Sequence, residues 1–160
     1  MIVVIMGVAG SGKTTVGRML ADEMSWGFVD ADDIHPLANI EKMRDGVPLT
    51  DDDRAPWLRS LRIILLAHEA SDESLVLACS ALTEGFRAAL RTGVDDLRFV
   101  LLQAEIDVIA QRLVQREHHF FKAELLDSQF VALEVPLDAI VVNASQSPHA
   151  IVAHIRRELR

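Results

Sequence analysis

Gly7-Val8-Ala9-Gly10-Ser11-Gly12-Lys13-Thr14 is the stretch on which the fold of this chain turns. It follows Ile2-Val3-Val4-Ile5-Met6, an apolar, β-branched run of the kind that forms a strand buried on both faces. Thr15 to Met24 comes next, with Val16, Met19, Leu20 and Met24 spaced along one helix face. Strand, glycine-rich loop, Gly-Lys-Thr and helix together make a P-loop in its required context. Glycines free the backbone to turn successive N–H groups inward on a polyphosphate, and the helix adds its positive N-terminal end. Lys13 reaches the β- and γ-phosphates and the Thr14 hydroxyl can ligand Mg²⁺. A glycine-rich turn that fits the pattern by chance is the competing explanation, and the flanking strand and helix weigh against it.

The rest of the chain reads as more strands of the same kind. They are expected over 27–30, 75–79, 97–102 and 139–143, separated by helical patterns at 51–70, around 82–90, at 106–113 and at 148–159. Five apolar strands alternating with helices imply an α/β domain with a five-stranded parallel sheet covered on both faces. Ligands in such sheets bind at the carboxyl ends of the strands, so the residues following each strand are the ones to inspect.

Bulk properties narrow the function. The 160 residues suit a single domain, half of them hydrophobic and a quarter charged. A net charge of −8 argues against a nucleic-acid backbone or an anionic membrane as the main partner, but not against a small acid in a locally basic pocket. One cysteine, Cys79, excludes an internal disulfide and any multi-cysteine metal site, as expected of a cytoplasmic protein. No transmembrane stretch is apparent, and the N-terminal apolar run is too short for a signal-peptide core.

Chemistry gathers at three places. Asp30-Ala31-Asp32-Asp33-Ile34-His35-Pro36 follows the second strand. Asp32 there can orient or deprotonate a hydroxyl in line with a γ-phosphate, and Asp30 with Thr14 can serve a metal ion. Asp33 suits an N-cap for a helix starting near Ile34, and His35 alone is as consistent with a surface histidine. Arg54 sits among acids at a helix start, where it either pairs with Asp51 or Asp52 or grips a carboxylate bidentately. Pro56 lies in the first turns of that helix or splits a short turn from it. Arg112 and Arg116, four apart on one helix face, either close on the transferred phosphate as a lid does or form a solvated basic turn. Adjacent His118 and His119 diverge on a helix and make a poor metal pair. The third strand, running into Cys79-Ser80-Ala81-Leu82, lacks the acid that many P-loop ATPases place there for Mg²⁺, which disfavours a motor or a GTPase.

With these residues in view, the chain resembles the gluconokinases, small P-loop kinases related in fold to shikimate and nucleoside-monophosphate kinases. The resemblance runs through Gly7 to Thr15, Asp30-Ala31-Asp32, His35-Pro36, Asn39-Ile40-Glu41-Lys42-Met43, Gly46-Val47-Pro48-Leu49, Asp51-Asp52-Asp53-Arg54 and Pro56-Trp57-Leu58. It continues in Cys79-Ser80-Ala81-Leu82, His119-Phe120, Leu125-Leu126-Asp127-Ser128-Gln129-Phe130 and Leu133-Glu134. It implies phosphorylation of D-gluconate by ATP with Mg²⁺, a homodimer, and a lid over about 114–130. It further implies that Gly7, Val8, Ala9, Gly10, Ser11, Gly12, Lys13, Thr14, Thr15 and Arg112 hold ATP. Asp32, His35, Arg54 and Arg87 would contact the acid, and Lys13, Asp32, Arg112 and Arg116 would carry the chemistry. The chain departs from the family at Thr83, Phe86, Ala88, Glu117, His118 and Val135.

Overall fold

The computed structural model describes residues 1–115 and 126–160. Within them five parallel strands form one sheet: β1 (Ile2–Met6), β2 (Gly27–Asp30), β3 (Leu75–Ala78), β4 (Leu97–Gln103) and β5 (Ile140–Asn143). Their order across the sheet is β2-β3-β1-β4-β5. Seven α-helices connect and flank them among the described residues: α1 (Lys13–Met24), α2 (Leu37–Arg44), α3 (Asp51–Ser71), α4 (Glu84–Arg91), α5 (Ile106–Val114), α6 (Leu126–Ala132) and α7 (Pro148–Glu158).

Alternation along β1 splits the core between the two faces of the sheet. Ile2, Val4 and Met6 meet Trp57, Leu61 and Leu65 of α3 and Leu90 of α4. Val3 and Ile5 pack with Val16, Leu20 and Ala21 of α1 and with Ile151, Val152 and Ile155 of α7. All five β1 side chains are fully buried, each contributing roughly 1.5–3 kcal/mol. β1 is therefore the rigid base from which the glycine-rich loop springs. Gly7 at its end is confined twice over. Its φ is +140°, and a Cβ there would stand 2.7 Å from the Leu102 carbonyl oxygen.

The backbone settles two local readings, bearing out the first and overturning the second. Pro56 does not break α3, which runs unbroken from Asp51 to Ser71 and is started by a capping box between Thr50 and Asp53. Pro56 is the sixth residue of the helix, past the N–H groups that lack intrahelical partners, so it removes one bond, to the Asp52 carbonyl, and the rest of the long helix carries on through it. Asp33 caps no helix. Pro36 forces His35 into extended backbone (φ −62°, ψ 137°), so residues 31–34 close a separate 3-10 turn capped by Asp30, and α2 starts beyond the proline. No helix among the described residues is long and apolar enough to cross a membrane.

Candidate active site

A cleft of about 1040 Å³ opens over the carboxyl ends of the strands. Ala9, Gly10, Gly12, Lys13 and Thr14 line one side; Asp32, Asp33, His35, Arg54 and Trp57 line the other. Val8 and Ser11 are buried beneath the loop, and Thr15 is exposed on α1. α1 begins at Lys13 with no side-chain cap and no acid in its first turn. Its positive end thus faces the cleft without an internal anion, which is the chemistry a phosphate chain requires. α5 fixes the loop from behind: a Cβ on Gly10 (φ +79°) would lie 2.9 Å from Leu113 Cγ. The Lys13 ammonium donates to the Val8 carbonyl oxygen at 3.0 Å, folding back over its own loop.

Thr14 and Asp30 meet across the gap between α1 and β2. The Thr14 hydroxyl donates to Asp30 Oδ2 at 2.6 Å, while Asp30 Oδ1 accepts the Asp32 backbone N–H at 3.1 Å. One carboxylate thus caps the 31–34 turn, sets the position of Asp32 and presents oxygen beside the threonine. These two side chains fit a hard cation that takes oxygen ligands and keeps several waters. No cluster of three His, Cys, Asp or Glu side chains suited to a metal occurs among the described residues. A cation here would rely on Thr14, Asp30, phosphate oxygens and water. Cys79 lies close enough to sense Asp32, Lys13 and Asp30, but burial above all pushes its thiol up to about 12. It is an inert small hydrophobe.

The acceptor side is walled by aromatic rings. His35 stacks on Trp57 with centroids 4.1 Å apart and planes 12° from parallel, and Phe86 leans on the indole at 5.3 Å. The Trp57 indole N–H donates to the buried Ala31 carbonyl at 2.7 Å, tying α3 to the turn that carries Asp32. Burial lowers the His35 pKa to about 4, so its ring is neutral at physiological pH. Its tautomer follows from its neighbours. Asn39 Nδ2 donates to the Asp53 carbonyl at 2.8 Å and lies 3.3 Å from His35 Nδ1. Nδ1 is therefore the acceptor and Nε2 carries the hydrogen. Asp53 is held in turn by Lys42 at 2.7 Å, and that bond with those from Thr50 lowers its pKa to about 2.

Arg54 takes the first of the two roles open to it, pairing with Asp51, at a position on the cleft wall. It donates to the Leu49 carbonyl at 2.8 Å and to Asp51 at 2.7 Å, and it lines the cleft. The Asp51 carboxylate is 98 % exposed, so this ion pair is weak and exchangeable for a ligand carboxylate.

Arg87 requires a correction. It does not face the cleft; its side chain is 2 % exposed and turns inward. The guanidinium donates to the Ala81 and Leu82 carbonyls, both at 2.9 Å, and to Glu84. Ala81 has φ +45°, a left-handed conformation that costs about 1–2 kcal/mol for a residue with a Cβ. Arg87 is the clamp that holds this strained turn under the cleft, not a ligand for a substrate. Glu134 clamps it from the other side, through its N–H to the Leu82 carbonyl (2.9 Å) and its carboxylate to the Glu84 N–H (2.6 Å).

Arg112 stands on α5 and donates to the Ala144 carbonyl at 2.7 Å, just past β5. It is not among the residues that line the cleft. Arg116, His118 and His119, with most of the expected lid, lie outside the described residues. α6 brings in Gln129, whose side-chain oxygen accepts the Ala9 N–H at 2.7 Å. Gln129, Trp57, Phe86 and Glu134 also shape the site, although their residue types alone do not point to it. Only Trp57 left a local signal, a buried indole that needs an acceptor.

Comparison with known proteins agrees with this geometry. The family model described as shikimate kinase matches residues 9–160. A probable gluconokinase of Xenopus tropicalis is 43 % identical, covering 99 % of this chain and 93 % of its own. The thermoresistant gluconokinase of Escherichia coli (strain K12) is 42 % identical over 95 % of this chain and 89 % of its own. A crystal structure of a gluconokinase from Sinorhizobium meliloti 1021 superposes with TM-score 0.85 at 38 % identity, covering 98 % of this chain and 91 % of that one. Shikimate kinase from Aquifex aeolicus, at 16 % identity and TM-score 0.63, covers 99 % of this chain and 96 % of its own, and shares the fold.

Proposed function

Because the chain belongs to the gluconokinases, within the shikimate kinase family, we propose that it transfers the γ-phosphoryl group of ATP to the primary hydroxyl of D-gluconate. The observation that carries this reading is the pairing, across one cleft, of an uncapped phosphate loop with Asp32, neutral His35 and exchangeable Arg54. A polyol acid needs an anion-binding fork, hydroxyl partners and a base, and these three side chains supply them.

Arg54 gives up Asp51 for the acid's carboxylate, binding it through its planar fork. His35 offers Nε2–H to a hydroxyl oxygen along the chain. Asp32 accepts the hydrogen of the terminal hydroxyl and takes its proton as that oxygen bonds to the γ-phosphorus. The bond from the γ-phosphorus to the β,γ-bridging oxygen breaks, and ADP leaves with that oxygen. Lys13 swings from the Val8 carbonyl to the phosphates, where with the loop N–H groups it offsets charge on the transferring group. Thr14 and Asp30, together with the nucleotide, would hold Mg²⁺, which when bound would neutralise charge on the phosphate oxygens. Arg112 belongs to the nucleotide side in this reading, and the chain acts as a homodimer.

An ADP-release assay over D-gluconate, shikimate, D-glycerate and D-glucose tests the assignment. D-Gluconate should give the highest kcat/KM by at least an order of magnitude. Preference for shikimate, or no acid-dependent ADP release, would overturn it.

A further inference from the structure

We propose that Gln129 is a ligand of the terminal phosphate of the nucleotide, its amide nitrogen aimed into the cleft by the Ala9 N–H. This rests on the kinase reading above and adds a residue to its phosphate-binding set.

The bond itself fixes which way round the amide lies. A backbone N–H can only donate, so the atom 2.7 Å from the Ala9 nitrogen is necessarily the carbonyl oxygen of the Gln129 amide. With the oxygen fixed, the two hydrogens of Nε2 point the other way. Nε2 has no hydrogen-bond partner among the described residues, and Gln129 lines the cleft together with Ser128 and Ala132. A primary amide with one end tied and the other presented to a cleft is a directed donor.

Position identifies what it is directed at. The end of the nucleotide that meets an acceptor is the γ end, since that group is the one transferred. Ala9, Gly10, Lys13 and Thr14 share the cleft with the acceptor-side residues Asp32, His35 and Arg54, so this part of the loop surrounds the γ end. The Ala9–Gln129 contact lies at that junction. The mounting is firm as well. Leu126 and Phe130, three residues before Gln129 and one after, pack with Val8, Ile109 and Leu113, so α6 rests on the underside of the loop. A donor held this way needs no rearrangement to meet developing charge, which is when such donors act most strongly.

Gln129→Glu separates this role from simple bracing. The glutamate keeps an acceptor for the Ala9 N–H but replaces the donor with a negative oxygen. Gln129→Met keeps the side-chain length and removes both functions. Titration calorimetry with ADP and with β,γ-methylene-ATP, in the presence of Mg²⁺, reads the two nucleotide ends apart. In both variants the analogue should bind at least ~10-fold more weakly than to the wild type, while ADP stays within about twofold. kcat should fall by ~10² with KM for the acid little changed, on the scale of losing one such donor. Equal weakening of both nucleotides, or wild-type binding of both by Gln129→Glu, would overturn the proposal and leave Gln129 a brace for the loop. Neither titration contains an acid. A wild type that binds the analogue as described yet fails to phosphorylate D-gluconate would therefore contradict the acceptor assignment and not this one.

Discussion

The Thr14 hydroxyl donates to Asp30 Oδ2 at 2.6 Å, joining the end of the phosphate loop to the end of β2, two strands away across β3. Through this bond one carboxylate sits between the nucleotide side of the cleft and the turn that carries Asp32. If Asp30 helps to hold the cation, Asp30→Asn keeps the cap on that turn and weakens the cation site. The Mg²⁺ concentration for half-maximal rate should rise several-fold, with the melting temperature within a few degrees. An unchanged Mg²⁺ dependence would restrict Asp30 to capping.

Lys13 donates to a carbonyl of its own loop, five residues back along the chain. Lys13→Ala should lower kcat by ~10²–10³, as for other preorganised charges at a transferring group. Thermal unfolding of the ligand-free protein should scarcely change. Turnover at the wild-type rate would remove Lys13 from the mechanism.

Arg54→Lys retains the charge and loses the fork. KM for D-gluconate should rise by ~10-fold or more while KM for ATP holds, since the residue lies across the cleft from the loop. A change confined to ATP would place Arg54 on the nucleotide side.

Arg87 makes the opposite prediction because it is buried. Arg87→Met strands the buried Ala81 carbonyl, leaves the Leu82 carbonyl to the Glu134 N–H alone and frees a strained turn, at a cost of about 2–4 kcal/mol. Denaturant unfolding measures this directly. A substrate ligand would instead show normal stability and a raised KM.

His35 adds a pH signature. Its pKa is about 4 folded against 6.5 unfolded, so the unfolded chain binds the extra proton between those values. Its contribution is complete above pH 6.5 and is lost as pH falls towards 4. His35→Gln should flatten the melting-temperature profile across that window. Asp53, lowered to about 2, makes its own loss below pH 3.8 in both proteins. By NMR the His35 ring should show no titration between pH 6 and 8.

How much of this was legible in the sequence depends on whether the cause was local. The β1 run and the loop after it carry their meaning in consecutive residues, as does Asp30-Ala31-Asp32 at a strand end, and the parallel sheet follows from strands that alternate with helices. Pro36 is equally local: a proline holds the residue before it out of helical backbone, which moves the helix start past Asp33 to Leu37. Arg87, by contrast, was hidden. Arginine on a short amphipathic helix is ordinarily solvated, and its burial depends on two carbonyls turned inward by the positive φ of Ala81, which no composition rule anticipates for an alanine. Gln129 and Ala9 are 120 positions apart, and nothing near either announces the bond. The order β2-β3-β1-β4-β5 likewise comes from pairings between distant segments.

Identifying the product tests the central claim most directly. Purified protein, Mg²⁺, ATP and D-gluconate would be followed by ³¹P NMR with proton coupling retained, beside Lys13→Ala. The account predicts one new phosphomonoester, stoichiometric with ADP, split into a triplet by the two protons of the terminal carbon and absent from the variant. A doublet, from phosphate on a secondary hydroxyl, or ADP and inorganic phosphate with no sugar phosphate, would contradict it.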